Sequence, residues 1–332
     1  MSGRARPIHC KESVIAENTR VEWADHSFNP WTGCTKVGPG CDHCYAESWA
    51  KRSGTVQWGP HAERRRTTPA NWRKPLQWNA RHAEFFAAQG RRQRVFCASL
   101  ADVFDNAVAR EWRDDLATLV LDTPNLDWLL LTKRIGNAGE MLGEMFLDGL
   151  PPNVWVGATV VTQEEAERDI PKLLALPAHV RFVSIEPMLG PIFLNDLRVG
   201  FYTQLHKLGL LSKDHDHIDG LRFFCGVQWV IGGFESGHHA RPGNPAWARS
   251  LRDQCAAAGT EFLWKQNGEW APGSLFQAGI PSGTYCDFDG ELKTDDERVW
   301  KVGKKAAGRL LDGVEHNGFP SEGAEMAHTR ST

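Results

Sequence analysis

Short, continuous apolar segments alternate along the chain with longer segments of helical periodicity. Continuous apolar strands separated by helices are typical of a parallel sheet that is covered on both faces. The pattern therefore predicts an α/β protein with a partial (β/α) TIM-type barrel of parallel strands. The predicted strands cover residues 20–25, 94–104, 127–134, 153–160, 181–189, 228–236 and 261–270, and the clearest predicted helices cover 109–122, 162–176 and 244–259.

The predicted strand segments end in polar side chains on their C-terminal side. In a (β/α) barrel these strand ends meet at one face, where active sites are built. Any strand ends in a polar turn, but a turn alone explains poorly a lysine, an arginine and two glutamates directly after buried strands. We therefore predict a site at this face, with Glu186 and Lys265 as candidate catalytic residues. Its other members are Ser99, Asp102, Lys133, Arg134, Thr159 and Glu235.

Two segments interrupt the alternation of strands and helices. Residues 60–95 hold nine lysines and arginines against two acidic residues, and residues 195–227 form a long connection. We read both as insertions in one barrel domain over residues 20–313. An N-terminal extension (1–19) precedes this domain, and a flexible tail (314–332) follows it.

Composition and charge limit the possible partners. The 332 residues are 41% hydrophobic and carry a net charge of −3, so a nucleic-acid contact would need a local basic patch. The first residues lack the apolar region of a signal peptide, and no apolar run is long enough to span a bilayer. We expect a cytoplasmic protein without membrane contact, whose thiols stay reduced.

Three cysteines, Cys34, Cys41 and Cys44, lie within eleven positions in a C-x6-C-x2-C spacing. They are one ligand short of a closed zinc site and an odd number for disulfides. The first lies in a Gly/Pro-rich loop and the other two open a predicted helix, whose N-terminus stabilises a thiolate. The spacing suits an iron–sulfur cluster with three protein ligands. Zinc is the alternative, with His43 or Cys10 as fourth ligand.

This cysteine segment resembles the cluster motif of the radical S-adenosylmethionine (radical SAM) superfamily. The usual form is C-x3-C-x2-C with an aromatic residue before the last cysteine; here the first gap is six, and His43 takes the aromatic position. The chain more closely resembles a phage-associated family with radical-SAM-like folds, long labelled a domain of unknown function. The match covers about residues 20–313, through "VEWADHSFNPWTGCTKVGPGCDHCYAE", "CASLADVFD", "LLLTKR", "VWVGATVVTQEEA", "RFVSIEPMLGPI", "WVIGGFESGHHARP", "FLWKQNGEW" and "KKAAGRLLDG".

The resemblance implies a [4Fe-4S] cluster on the three cysteines. S-adenosylmethionine would bind its open iron, and a flavodoxin- or ferredoxin-like protein would supply the electron. Ser99 and Asp102 would contact the methionine amine, and Lys133 or Arg134 the carboxylate. The run "VIGGFE" resembles the tail of the superfamily's adenine-contacting pattern. We therefore add Gly232, Gly233 and Glu235 as cofactor contacts, with Thr159 at a neighbouring strand end, and expect Glu186 to contact ribose or substrate.

The basic block suggests a nucleic-acid substrate, because arginines can hold phosphates while a tryptophan stacks a base. Its candidate contacts are Arg64, Arg65, Arg66, Trp72, Arg73 and Lys74. A solvated helix face over core tryptophans is the competing interpretation. We expect base modification or repair of a nucleic acid or nucleotide. Open alternatives are a small-metabolite substrate, a cluster used for sensing, and a non-enzymatic zinc protein that binds nucleic acid. The insert "DHDHID" (214–219) could bind a metal, but suits an exposed loop better.

Overall fold

The structure, a computed structural model, describes residues 16–17, 19, 21–194, 226–276, 283–288 and 298–320. The strands are β1 (Ala16–Glu17), β2 (His26–Phe28), β3 (Trp31–Thr32), β4 (Arg65–Arg66), β5 (Gln93–Cys97), β6 (Leu126–Thr132), β7 (Val154–Thr159), β8 (Val180–Ile185), β9 (Trp229–Gly232), β10 (Glu261–Trp264), β11 (Trp270–Pro272), β12 (Tyr285–Asp287) and β13 (Arg298–Lys301). The helices are α1 (Tyr45–Ser53), α2 (Pro69–Trp72), α3 (Lys74–Ala80), α4 (His82–Gln89), α5 (Arg110–Leu121), α6 (Ile135–Met145), α7 (Gln163–Leu174), α8 (Pro245–Ala258) and α9 (Lys304–Ala307).

The main sheet has the strand order β1-β2-β5-β6-β7-β8-β9-β10. Its seven strands from β2 to β10 pair in parallel, and β1 pairs antiparallel with β2 at the edge. Helices α5, α6 and α7 connect successive strands from β5 to β8, and α8 connects β9 to β10. The predicted α/β fold, a partial (β/α) barrel of parallel strands, is confirmed.

The predicted helices agree with α5, α7 and α8 within two residues at each end, whereas the first strand was placed wrongly. Residues 21–25 form a turn, in which the Ala24 N–H donates to the Val21 carbonyl, and the first parallel strand is instead β2. Asp25 ends that turn, because its carboxylate accepts the Arg94 N–H and two bonds from Arg91. The predicted strand 94–104 also stops early, since Ala98 has φ 132° and leaves the extended conformation.

The two faces of the sheet bury different cores. Its outer face packs Val95, Trp128 and Val156 under the helices. Its inner face packs a separate aromatic cluster of Trp23, Phe96, Trp155, Phe182 and Trp229. These bulky apolar side chains fill the inside of the curled sheet. The polar site must therefore lie beyond them, at the carboxyl ends of the strands.

The C-terminal segment completes this inner core. Residues 316–318 run beside β10: the Trp264 N–H donates to the His316 carbonyl, and the Gly318 N–H donates to the Phe262 carbonyl. The Phe319 ring lies 5.1 Å from that of Trp229. The packed part of the chain therefore extends beyond the boundary that we expected at residue 313.

The remaining elements lie outside the main sheet. The basic segment between β2 and β5 contains β4 and the helices α2 to α4, and β4 pairs with β3. Strands β11, β13 and β12 form a small antiparallel sheet. In the described part of the chain, no helix has the length and apolar character needed to cross a membrane.

Candidate functional site

The cysteine loop, defined here as residues 33–44, leaves the short strand β3 at the carboxyl end of the main sheet. Gly33 begins it with φ 102°, and its N–H donates to the Leu100 carbonyl, in the loop that follows β5. Cys41 lies in a 3-10 turn (Pro39–Cys41) and is buried, whereas Cys34 and Cys44 are half-buried. Cys44 is the N-cap residue of α1, as the sequence indicated for the start of this helix.

Two glycines let the cysteine loop pack closely against the start of α7. A Cβ added at Gly38 would lie 2.7 Å from the Glu165 carboxylate, and one at Gly40 would lie 2.8 Å from Val161. The Gly40 position is also 3.3 Å from the Lys133 Cε. The loop therefore extends from the β2 end of the sheet to the ends of β6 and β7.

Arg134, directly after β6, holds the first end of this loop. Its Nη1 donates to the Cys34 Sγ at 3.3 Å, and its Nη2 donates to the Thr35 carbonyl at 2.8 Å. Asp102 orients the guanidinium through a 3.1 Å bond and also accepts the Thr132 hydroxyl at 2.7 Å. Three predicted residues, Cys34, Asp102 and Arg134, thus belong to one contact network.

Burial raises the pKa of the Cys34 thiol to about 11, although Arg134 opposes this shift. Burial would by itself lower the pKa of the Arg134 guanidinium, but the carboxylates of Asp102 and Asp105 outweigh burial and raise that pKa. Cys34 is therefore a thiol at neutral pH in the metal-free protein. It must lose a proton when it ligates a metal.

Arg241 holds the other end of the loop. Its guanidinium pairs with both oxygens of Glu235, at 2.6 and 2.9 Å, and donates to the Asp42 carboxylate and the Pro39 carbonyl at 3.1 and 3.0 Å. The His43 Nδ1 also lies 3.0 Å from Glu235. Burial raises the pKa of Glu235, but the bonds from Arg241 and His43 outweigh it and hold this pKa below 4.5.

A second polar group lies at the ends of β8 and β10. The Lys265 Nζ donates to the Glu186 carboxylate at 2.7 Å, and the Gln266 amide donates to the same oxygen at 3.1 Å. The side chains of Glu186 and Lys265 are 17% and 20% exposed, so this pair is still accessible to a ligand. The structure thus brings together both candidate catalytic residues.

The donor set of the cysteine loop fits an iron–sulfur cluster. Three cysteines lie on this one loop, and a cluster with three protein ligands takes its donors from such thiols. Within the described ranges, no group of three His, Cys, Asp or Glu side chains is arranged as a metal-ion site. The Arg134 bond to sulfur and the position of Cys44 at a helix N-terminus are features that stabilise bound thiolate.

The other predicted cofactor contacts differ in their burial and in the side chains around them. Thr159 is buried at the end of β7, and Ser99 is held by Asn29 at 3.0 Å. A Cβ at Gly233 would touch Glu186 and Lys265, so this glycine lies beside the second polar group. Gly232 instead faces the helix layer, because its Cβ would meet Trp264 at 3.0 Å and Leu251 at 3.3 Å. A side chain at position 232 would therefore clash with this layer, and the role of Gly232 as a cofactor contact stays a prediction.

The predicted phosphate contacts divide into buried and accessible residues. The Arg64 side chain is 1% exposed and pairs with Asp105 at 2.8 Å, whereas its role as a phosphate contact stays a prediction. Arg66 pairs with Asp115 and lies over the Trp72 ring at 4.2 Å, which covers one face of that indole. The accessible cations are Arg65 and Arg73, which are exposed, and Lys74, which is half-buried.

Sequence reasoning missed Arg241, Gln266 and Asn29 as members of the site. Arg241 lies within "HHARP", a run that we used only for the family resemblance. Asn29 is 1% exposed, and its side chain accepts the Leu100 N–H at 2.7 Å, which fixes the loop after β5. The available signal for Gln266 was its position at the polar end of a predicted strand. Asn29 directly follows β2, a strand that the sequence analysis did not place. Cys10 and the insert 214–219 lie outside the described residues.

The fold and the site define a partial (β/α) barrel with a three-cysteine loop at the carboxyl end of its parallel strands. The chain belongs to the family described as "Protein of unknown function (DUF5131)", whose model matches residues 18–320. A search of curated proteins finds no match to the chain.

Among solved structures, the chain is similar to spore photoproduct lyase. For the lyase complexed with dinucleoside spore photoproduct, identity is 9% and the TM-score 0.38, with 74% of this chain and 64% of the lyase chain covered. For a point mutant of the lyase, identity is 8% and the TM-score 0.40, with 72% and 76% covered. For a double mutant of the lyase with bound AdoMet and dinucleoside spore photoproduct, identity is 9% and the TM-score 0.35. The comparison covers 70% of this chain and 61% of the lyase chain.

Proposed function

We propose that the protein is a radical SAM enzyme whose [4Fe-4S] cluster is held by Cys34, Cys41 and Cys44. The observation that carries the proposal is the position of the three cysteines on one loop at the carboxyl end of seven parallel strands, with an arginine donating to a cysteine sulfur. When bound, the cluster and S-adenosylmethionine would supply a 5′-deoxyadenosyl radical that abstracts hydrogen from the substrate.

Lys133 is our choice for the residue that binds the carboxylate of S-adenosylmethionine. Sequence left Lys133 and Arg134 as alternatives, but the Arg134 guanidinium is already bonded to Cys34, Thr35 and Asp102. Among the described residues, no salt bridge or hydrogen bond occupies the Lys133 amine, whose Cε lies beside Gly40 of the cysteine loop. An ammonium at this position would pair with a carboxylate without losing an existing partner.

Glu186 and Lys265 are proposed to contact the ribose or the substrate. Their ion pair presents a carboxylate and an ammonium at neighbouring strand ends, and the Gly233 position beside them carries no side chain. Together they offer hydrogen-bond acceptors and donors to one ligand. Glu235 has a different role in this scheme, because Arg241 and His43 already occupy its carboxylate.

A nucleic acid or nucleotide is the proposed substrate, and base modification or repair the proposed outcome. Support comes from the exposed cations Arg65 and Arg73, with Lys74 beside them, in the segment that pairs through β4 with the strand leading to the cysteine loop. These residues could bind phosphates. We further propose that a flavodoxin- or ferredoxin-like protein donates the electron. We propose the cytoplasm as the compartment of the reaction.

Anaerobic reconstitution tests the enzyme class. We expect the wild-type protein to bind iron and sulfide and, once reduced, to convert S-adenosylmethionine into 5′-deoxyadenosine and methionine. The triple variant of Cys34, Cys41 and Cys44 to alanine should bind neither. The matched control is Cys255→Ala, which removes a buried thiol from α8 far from the loop in sequence. Full iron and sulfide content in the triple variant would disprove the ligand assignment.

Salt dependence tests the substrate class. Binding to a short oligonucleotide should weaken with salt, with a log–log slope of about −0.7 to −0.9 for each neutralised phosphate. Replacing Arg73 and Lys74 with glutamine should make this slope shallower. Arg168→Gln removes an exposed arginine that pairs with the buried Asp169 on α7, and it should leave the slope unchanged. Salt-independent binding, or none to DNA or RNA, would leave a small metabolite as the substrate class.

A further inference from the structure

The cysteine loop is held at both ends by arginines that are themselves fixed by buried carboxylates. The Arg134 anchor consists of Arg134 with Asp102, and the Arg241 anchor of Arg241 with Glu235; the two acidic side chains are each 7% exposed. Each arginine also donates to a backbone carbonyl of the loop, at Thr35 or at Pro39. The same construction therefore occurs twice, on opposite ends of one loop.

The two anchors come from distant parts of the sheet. Arg134 directly follows β6, whereas Glu235 and Arg241 lie in the connection between β9 and α8. Contacts at 3.0 and 3.1 Å from Arg241 reach Pro39 and Asp42, which flank Cys41. The loop is thereby fixed to both sides of the carboxyl face.

Arginine is the residue type that this arrangement requires. A guanidinium carries five donors in a rigid fork, so one side chain can bind a carboxylate bidentately and still donate to a second acceptor. Arg241 uses its fork in this way, since it binds both Glu235 oxygens and two groups of the loop. A lysine ammonium could neutralise Glu235, but it could not keep the same set of directed bonds.

We propose that Arg134 and Arg241 are positioning residues that hold the cysteine loop in its folded conformation before any metal binds. The loop would then be a preformed receptor in which the three thiols already lie on an ordered backbone. The alternative is a loop that folds only when iron and sulfide arrive. This inference adds to the proposed function the way in which its cofactor site is prepared.

Hydrogen exchange of the metal-free protein separates these alternatives. The Cys41 and Asp42 amides donate to the Gly38 and Pro39 carbonyls inside the loop, so both should exchange slowly in the wild type. In Arg241→Gln they should exchange about tenfold faster, because hydrogen bonds that involve a charged group are the stronger ones. Arg168→Gln is the matched control and should leave these amides unaffected.

A second variant covers the case in which Arg241→Gln does not fold. Arg241→Lys keeps a positive charge beside Glu235 but lacks the fork, so it should fold and still exchange faster at Cys41 and Asp42. Iron incorporation into either variant should be slower than into wild type, and final cluster content lower.

Unfolded-like exchange of the two amides in metal-free wild type would overturn the inference, as would equal exchange in wild type and Arg241→Lys. The exchange result is independent of the proposed function, because it needs neither iron nor S-adenosylmethionine. Wild-type protein that protects the loop but never binds iron would contradict the proposed function alone.

Discussion

At the scale of single residues, the Arg134 bond to the Cys34 sulfur makes a redox prediction. A cation that donates to a ligating sulfur stabilises the added electron, so Arg134→Gln should shift the reduction potential of the cluster to more negative values. Potentiometric titration followed by electron paramagnetic resonance measures the shift in protein with matched iron content. The same potential in wild type and Arg134→Gln would show that the contact serves only to hold the loop.

Glu235 makes a prediction about acid stability. Its pKa lies below 4.5 in the folded protein, so its ion pair stabilises the fold fully above that pH. Glu235→Gln should lower the free energy of unfolding by about 2 kcal/mol at pH 7. The difference between the two proteins should narrow as the pH falls through the depressed pKa. Denaturant titrations at pH 7 and pH 3.5 would contradict this account if the difference were constant.

At the scale of elements, the close packing of the cysteine loop against the start of α7 can be tested by adding one methyl group. Gly40→Ala places a methyl group 2.8 Å from Val161, which should destabilise the protein by about 1–3 kcal/mol and reduce cluster incorporation. The control, Gly143→Ala in α6, has open space around it and should be neutral or stabilising by about 0.5–1 kcal/mol. Thermal unfolding and iron content measure both effects. Equal iron content in the two variants would mean that the loop tolerates displacement.

The elements that sequence could predict were those with a regular period. Helices α5, α7 and α8 each have an apolar stripe, and β6 and β7 are buried on both faces. A short stretch of sequence therefore contains the whole hydrophobic pattern of each element. The turn at 21–25 was predicted as a strand because Trp23 is apolar and is buried in the inner core, although it is not in a strand. Burial by tertiary packing looks the same in sequence as burial within a sheet.

The candidate site was predicted in part for a similar reason. Residues directly after strands, such as Lys133 after β6 and Glu186 after β8, are marked by their position alone. Arg241 is not, because it lies nine residues after β9 and acts through contacts with residues about 200 positions earlier. The burial of Arg64 could not be foreseen from a run of arginines, because its partner Asp105 lies 41 positions further along the chain.

At the scale of the whole molecule, the segment around Phe319 covers the inner core at the end away from the site. Phe319 packs on Trp229, and the Arg94 guanidinium lies 4.2 Å from the centre of the Phe319 ring. Phe319→Ala should therefore lower the free energy of unfolding by about 2–4 kcal/mol while iron content stays unchanged. Chemical denaturation and metal analysis of the same sample measure both. A loss of iron without a loss of stability would contradict this division between the two ends of the barrel.

The Arg241 anchor also bears on the order of events during synthesis. The cysteine loop leaves the ribosome about 200 residues before Arg241, which holds its far end through Asp42 and Pro39. During that interval the three cysteines belong to a nascent chain in which Arg241, and with it the Arg241 anchor, has not yet been synthesised. Cluster insertion should therefore follow release of the second half of the barrel, and nascent chains stalled before residue 241 should retain no iron.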